Sequence, residues 1–182
     1  EIRGAGNMLG GEQSGHIAGV GFDLYLRMIG EAVGAFRGEQ QEGPTELRLE
    51  LPVNARIPED YIESERLRLE AYQKLSTASA ANAAADTLDR VIEELVDRYG
   101  PLPEPVEQLV AVSRLRKQAQ AGGLGEVVAM GGRMRLAPFV PSDSIQVRLQ
   151  RMYPGVKFFA AQEAVNIPMP ELESDAELIA WV

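Results

Sequence analysis

The sequence predicts an α+β fold in which several helices pack on a small, mostly antiparallel sheet. Three patterns lead to this prediction. Apolar and charged residues alternate from Leu47 to Val53, as in a half-buried strand. An apolar stripe repeats at helical spacing over residues 87–99. The pair Gly131-Gly132 separates two short apolar runs, which is the pattern of a tight hairpin.

The N-terminal part differs from this compact domain. Residues 1–19 form a glycine-rich loop, in which the backbone is free to adopt positive φ angles. Five apolar residues then recur at helical spacing and predict an amphipathic helix: Phe22, Leu26, Ile29, Val33 and Phe36. Residues 37–44 are polar, contain Gly and Pro, and read as a linker. We therefore expect two parts, residues 1–43 and 44–182.

Helices dominate the first half of the second part. One helix is expected from Pro58 to about Ser76, and the Ala-rich residues 76–85 fit either a helix or a loose turn. The apolar stripe of residues 87–99 predicts a helix that Gly100 ends. A further helix is expected over residues 104–121.

The last third changes to short strands. The hairpin around Gly131-Gly132 is followed by Ser142, a candidate N-cap for a short helix. Residues 156–160 and 164–169 read as two more strands. Ser174 is a candidate cap for the last helix.

Composition narrows the function classes. The 182 residues contain no cysteine, which excludes disulfides and thiolate metal sites. No apolar run approaches the roughly 20 residues that a membrane span needs, so we expect a cytoplasmic protein without a membrane partner. The chain starts at Glu1 without an initiator Met, and we expect it to be a piece of a longer protein.

The net charge of −9 is unevenly distributed. Residues 39–110 contain 16 acidic and 7 basic residues, and phosphates would be repelled there. Residues 111–157 contain 8 basic residues against Glu126 and Asp143. This basic stretch could contact phosphate or an acidic protein surface, or form a solvated face.

No complete active site is visible. Gly4, Gly6 and Gly10 resemble a dinucleotide fingerprint, but only three residues precede them and no good helix start follows. A phosphate-binding GxxxxGK[ST] loop is absent from the sequence. His16 is the only histidine, which makes a zinc site implausible. We expect this chain alone to bind no cofactor or metal and to have no enzymatic activity.

Several segments resemble one family. Residues 1–15 look like the end of the TRG motif shared by bacterial transcription-repair coupling factors and RecG-like helicases. Residues 19–25, 67–72 and 94–103 are similar to the coupling factors rather than to RecG. The last of these contains Asp-Arg-Tyr-Gly followed by Pro103, which resembles a signature of that family.

The resemblance implies a parent protein that uses ATP and Mg to translocate on double-stranded DNA. Such a protein displaces RNA polymerase stalled at lesions and recruits the nucleotide-excision repair protein UvrA. Residues 1–43 would end the translocase lobe, and the TRG motif would couple ATP hydrolysis to translocation. The positions that match this motif are Arg3, Gln13, Gly4, Gly6, Gly10 and Gly15.

Residues 44–182 would then be the family's regulatory TRCF domain. In relatives this domain packs against the N-terminal repair-recruiting module and masks the surface that binds UvrA. Exposed charges on the helices between Glu59 and Gln120 are the candidates for that contact. Two alternatives remain, namely a non-catalytic protein–protein interaction module and the tail of a RecG-like helicase.

Overall fold

The computed structural model describes residues 47–80 and 82–182, and within them the predicted α+β class is confirmed. The predicted loop 1–19, the helix over residues 22–36 and the linker 37–44 lie outside the described residues. The elements are β1 (Arg48–Glu50), α1 (Glu65–Ala78), α2 (Thr87–Tyr99), α3 (Glu104–Ala121), β2 (Glu126–Met130), β3 (Arg133–Ala137), α4 (Asp143–Met152), β4 (Lys157–Phe159), β5 (Ala164–Pro168) and α5 (Asp175–Trp181), with a 3-10 turn at Ala160–Gln162.

The five strands form one sheet in the order β1-β2-β3-β5-β4. β1 pairs with β2 in parallel, and the other three pairings are antiparallel, so the sheet is mostly antiparallel as predicted. The predicted hairpin joins β2 to β3. Its turn residues Gly131 and Gly132 have φ angles of 58° and 70°, which a residue with a side chain rarely adopts.

The core lies between the sheet and helices α1 and α3. Leu47, Leu49 and Leu51 are all buried, which confirms the alternation predicted for the first strand, although the strand itself is only three residues long. Val106 and Leu109 of α3 are fully buried, and helix α5 packs on α3 through the buried side chains Leu178 and Ile179 among others.

The prediction of a helix from Pro58 is wrong, because α1 begins at Glu65. Residues 57–64 precede the helix, and side chains of α1 form hydrogen bonds with their backbone. The Tyr72 hydroxyl accepts a hydrogen bond of 2.7 Å from the backbone N–H of Ile57. The guanidinium of Arg68 donates to the carbonyl of Ile62 at 2.8 Å. The helical periodicity of a sequence does not predict hydrogen bonds between side chains of a helix and the backbone of the segment before it.

Helix α2 forms an outer layer. Leu88 and Leu95 are buried, whereas Val96 is 42% exposed. The apolar stripe predicted for residues 87–99 is therefore only partly covered by the domain. Helix α2 ends at Gly100, which has a φ of 89°, as predicted. No helix in the described part of the chain is long and apolar enough to cross a membrane.

Candidate interaction surface

The TRG positions predicted from the sequence cannot be placed, because they lie outside the described residues. These positions are Arg3, Gln13, Gly4, Gly6, Gly10 and Gly15. Their assignment remains a prediction. The charged helices between Glu59 and Gln120, the other predicted region, are almost entirely described.

Helices α1 and α2 are joined by an ion-pair triad. Lys74 on α1 donates to both carboxylate oxygens of Glu94 on α2, at 2.6 and 2.8 Å. Arg98, one turn further along α2, donates to Glu94 Oε1 at 2.9 Å. The hydrogen bonds from Lys74 and then Arg98 lower the pKa of Glu94 below its ordinary value. One carboxylate thus connects two basic side chains across the helix pair.

The end of α2 is fixed by a tyrosine pair. The rings of Tyr61 and Tyr99 meet edge to face, with centroids 5.8 Å apart. The Tyr61 hydroxyl lies 3.2 Å from the carbonyl oxygen of Leu95 and 3.1 Å from that of Gly100, and can donate its proton to either. Partial burial and the neighbouring Tyr99 raise the pKa of Tyr61. The Tyr61 hydroxyl therefore joins the segment before α1 to the C-terminal end of α2.

The other flank of α2 is tied to α3. Arg114 on α3 donates to Asp89 on α2 at 2.9 Å. Lys117, also on α3, donates to the carbonyl of Ala84, just before α2, at 2.8 Å. Helix α2 is therefore tied by polar contacts to helices on both sides, which fixes its orientation on the domain.

The outward side of α2 is acidic and carries one exposed apolar side chain. We define the α2 face as Asp89, Glu93, Val96 and Asp97, which lie on one side of the helix because they are spaced by four, seven and eight residues. All four are exposed. Asp89 is paired with Arg114, whereas Glu93 and Asp97 form no ion pair within residues 47–80 and 82–182. This face presents exposed carboxylates around an apolar centre, and two of them lack an ion-pair partner in the described part of the chain.

The groove between α1 and α2 does not suit a small-molecule ligand. Leu67 and Ala71 line one wall and Val91 and Leu95 the other, and the groove is open to solvent, with a cavity volume of only about 10 Å³. Small-molecule sites are usually larger, at about 300–1,000 Å³, and enclose most of the ligand. No group of three or more His, Cys, Asp or Glu side chains in the described residues is arranged to hold a metal ion.

The predicted basic stretch, residues 111–157, is partly engaged inside the domain. Arg135 contacts Glu126 at 3.3 Å, and Arg133 donates to the carbonyl of Gly155 at 3.0 Å. Arg114 and Lys117 bind to residues at and before α2, as described above. These contacts give half of the eight basic side chains a partner within the domain, although Arg114, Arg148, Arg151 and Lys157 stay exposed.

Arg116 is a buried charged residue that the count of basic residues along the sequence did not distinguish from the exposed ones. Its side chain is buried in α3, and desolvation lowers its pKa from 12.5 to about 10. A signal was available, because Val112, Arg116 and Ala119 follow one another at helical spacing and all three are buried. An arginine in such a row belongs to the interior rather than to a basic surface.

The comparisons with known proteins agree with this architecture. The model of the TRCF domain family matches residues 51–148, which is more than half of the chain. The chain belongs to the TRCF domain family. The match covers α1, α2, α3 and the β2–β3 hairpin, and therefore includes the α2 face.

The chain is similar to transcription-repair-coupling factors from several bacteria. It is 48% identical to that of Mycobacterium tuberculosis over 182 residues, covering 93% of this chain and 14% of that protein. It is 36% identical to that of Escherichia coli over 129 residues, covering 68% of this chain and 11% of that protein. The chain thus spans about a seventh or less of the length of these relatives.

A solved structure supports the TRCF fold. The crystal structure of the C-terminal domain of a transcription-repair coupling factor superposes with a TM-score of 0.56, covering 74% of this chain and 85% of that chain. Sequence identity in this comparison is 16%, so the comparison supports the fold alone.

Proposed function

We propose that this chain is part of a transcription-repair coupling factor that displaces RNA polymerase stalled at DNA lesions and recruits nucleotide-excision repair. The supporting observation is the TRCF family match together with 48% identity over 93% of the chain to the Mycobacterium tuberculosis protein. The rest of such a protein would supply the ATP- and Mg-dependent motor on double-stranded DNA. Its work on DNA and RNA polymerase places it in the cytoplasm.

Residues 1–43 form the end of the translocase lobe in this proposal, and the TRG motif couples ATP hydrolysis to movement. Arg3 can contact a DNA phosphate through its planar guanidinium, and Gln13 can exchange hydrogen bonds as the nucleotide state changes. A phosphate contact provides grip on DNA without sequence preference, which a translocase requires.

The coupling proposal is tested in the parent protein with Arg3→Ala and Gln13→Ala. Each variant should retain ATPase activity but lose most of its DNA translocation, measured by triplex displacement. Arg66→Ala, an exposed change on α1, serves as the control and should translocate normally. Normal translocation by both TRG variants would contradict the proposal.

Residues 44–182 act as a restraint in this proposal. They pack against the N-terminal repair-recruiting module and mask its UvrA-binding surface until the motor engages. The α2 face supports this role, because it combines exposed carboxylates with the exposed Val96. Its basic complement would lie on the recruiting module. Tethering within one chain raises the effective concentration, so a small interface is sufficient.

Deletion of residues 45–182 from the parent tests the restraint. The truncated protein should bind UvrA more tightly than the intact protein, because the competing intramolecular contact is lost. The measurement is UvrA affinity by biolayer interferometry, with the intact parent carrying Glu171→Ala, an exposed change between β5 and α5, as the control. Unchanged affinity after the deletion would exclude masking by this domain.

A non-catalytic interaction module remains the second candidate. It is favoured by the exposed, ion-paired charges that α1, α2 and α3 present. It predicts that Arg3→Ala and Gln13→Ala leave translocation intact while the deletion still changes UvrA binding. The TRCF match weighs against the third candidate, the tail of a RecG-like helicase.

A further inference from the structure

Helix α4 differs from the other helices in the described part of the chain. None of its residues is buried, whereas α1, α2, α3 and α5 each bury at least two side chains. The helix is nevertheless held at its C-terminal end, where the ring of Tyr153 meets that of Trp181 on α5 edge to face at 5.9 Å. At the other end, the side-chain amide of Gln146 donates a hydrogen bond of 3.1 Å to the carbonyl of Pro141. A fixed but uncovered helix is a preorganised binding element.

Exposed apolar side chains concentrate at this helix. Of the large hydrophobic residues exposed in the described ranges, most lie between residues 140 and 152. Their exposed fractions are 75% for Val140, 45% for Ile145, 48% for Val147 and 54% for Met152. Single exposed apolar residues are ordinary, but a group on one short segment marks an interaction site.

Two arginines interleave with these apolar residues. Arg148 lies three residues after Ile145 and four before Met152, so the three share one side of the helix. Arg151 lies four residues after Val147 and is likewise exposed. Neither arginine forms an ion pair within residues 47–80 and 82–182, unlike Arg114 and Arg135 of the same basic stretch. Met and Arg are both enriched in protein–protein interfaces.

We propose that the α4 surface, defined as Val140, Ile145, Val147, Arg148, Arg151 and Met152, binds an acidic amphipathic segment of a partner protein. Charge complementarity selects this occupant, because the two arginines stand out in a chain of net charge −9. The apolar side chains would contact the apolar side of the segment, and the arginines its carboxylates. The proposal rests on the described geometry and is independent of the function proposed above.

Two other occupants fit less well. Duplex DNA would be repelled by the acidic residues 39–110, and the apolar side chains of the α4 surface would find no partner on phosphates. In a symmetric contact with a second copy, this basic surface would face its own like charges.

The test uses the full 182-residue chain and a synthetic probe. The probe is a fluorescein-labelled helical peptide with Leu at helical spacing and Glu or Gln elsewhere. We expect saturable binding by fluorescence anisotropy, with amide NMR shifts confined to residues 140–153. Arg148→Glu with Arg151→Glu should weaken binding by about tenfold or more. Ile145→Ser with Met152→Ser should also weaken it by about tenfold while leaving the charge unchanged.

The matched control is Arg56→Glu with Arg66→Glu, which makes the same charge change at exposed positions away from α4 and should leave peptide binding unchanged. Circular dichroism checks that each variant remains folded. The proposal is overturned if the serine variant binds the peptide normally, since attraction would then be purely electrostatic. It is also overturned if duplex DNA or anionic phosphatidylglycerol vesicles shift the same amides more strongly, or if sedimentation shows self-association through α4.

Discussion

At the scale of single residues, Glu94 is the most informative position. Its carboxylate receives hydrogen bonds from Lys74 and from Arg98, and its pKa is lowered for that reason. A carboxyl group with a lowered pKa in the folded state stabilises the fold above its unfolded pKa. That stabilisation disappears as the pH falls through the folded value. The ion-pair triad should therefore stabilise the α1–α2 pair at neutral pH but not in acid.

We predict that Glu94→Gln lowers the free energy of unfolding by about 0.5 kcal/mol at neutral pH, a magnitude typical of exposed ion pairs. The difference from the unmodified chain should shrink as the pH falls below 4.5, the ordinary pKa of this carboxyl group. Urea unfolding of both proteins at several pH values measures this difference in the free energy of unfolding. Glu93→Gln is the control, because Glu93 is exposed and outside the triad. A difference for Glu94→Gln that persists unchanged in acid would rule out the ionic origin.

Side-chain roles could be predicted only where they depend on local sequence. Ser174 caps α5 as predicted, with its hydroxyl accepting from the backbone N–H of Glu177 at 3.2 Å. Ser142 precedes α4 as predicted, but its hydroxyl contacts that of Ser144 at 3.0 Å instead of capping the helix. Tyr61, which contacts backbone atoms more than 30 residues away, could not be found from its neighbours in the sequence.

At the scale of elements, glycines at turns predicted the element boundaries more accurately than helical periodicity did. Gly100 and the pair Gly131-Gly132 lie where the chain needs positive φ, so the end of α2 and the hairpin were placed correctly. The start of α1 was misplaced because Pro58 looked like a helix start. The contacts from Tyr72 and Arg68 that hold the preceding segment depend on the tertiary fold.

Helical periodicity also overstated how much of each helix is covered. The stripe on α2 is continuous in sequence, yet Val96 is exposed because no element packs over that side in the described structure. Helix α4 shows the same mismatch more strongly, with no buried residue at all. Sequence patterns identify apolar sides of helices but not which of them a neighbour within the domain covers.

At the scale of the whole molecule, charge is separated between two surfaces. The α2 face is acidic, whereas the α4 surface contributes two arginines that form no ion pair with any other described residue. The count along the sequence predicted an acidic middle and a basic later stretch, but not that half of the eight basic side chains find partners within the domain. The location of the candidate restraint within the helices between Glu59 and Gln120 was proposed from the sequence, and its outward residues became visible only in three dimensions.

The proposed restraint predicts that the charge of the α2 face is essential to masking. If exposed carboxylates hold a basic recruiting module, reversing their charge must release it. The pair Glu93→Lys and Asp97→Lys changes two exposed residues outside any ion pair of the described domain, so the fold should be preserved. Glu171→Lys with Glu173→Lys makes the same charge change at two exposed positions between β5 and α5.

The decisive measurement is the affinity of the intact parent protein for UvrA with each of these two pairs of substitutions. The account predicts that Glu93→Lys with Asp97→Lys raises UvrA affinity toward that of the protein lacking residues 45–182, by about tenfold. The Glu171 and Glu173 pair should leave the affinity at the value of the unmodified parent. Equal UvrA affinity for the α2 variant and the unmodified parent, with the truncated protein still binding more tightly, would contradict a restraint that acts through the α2 face.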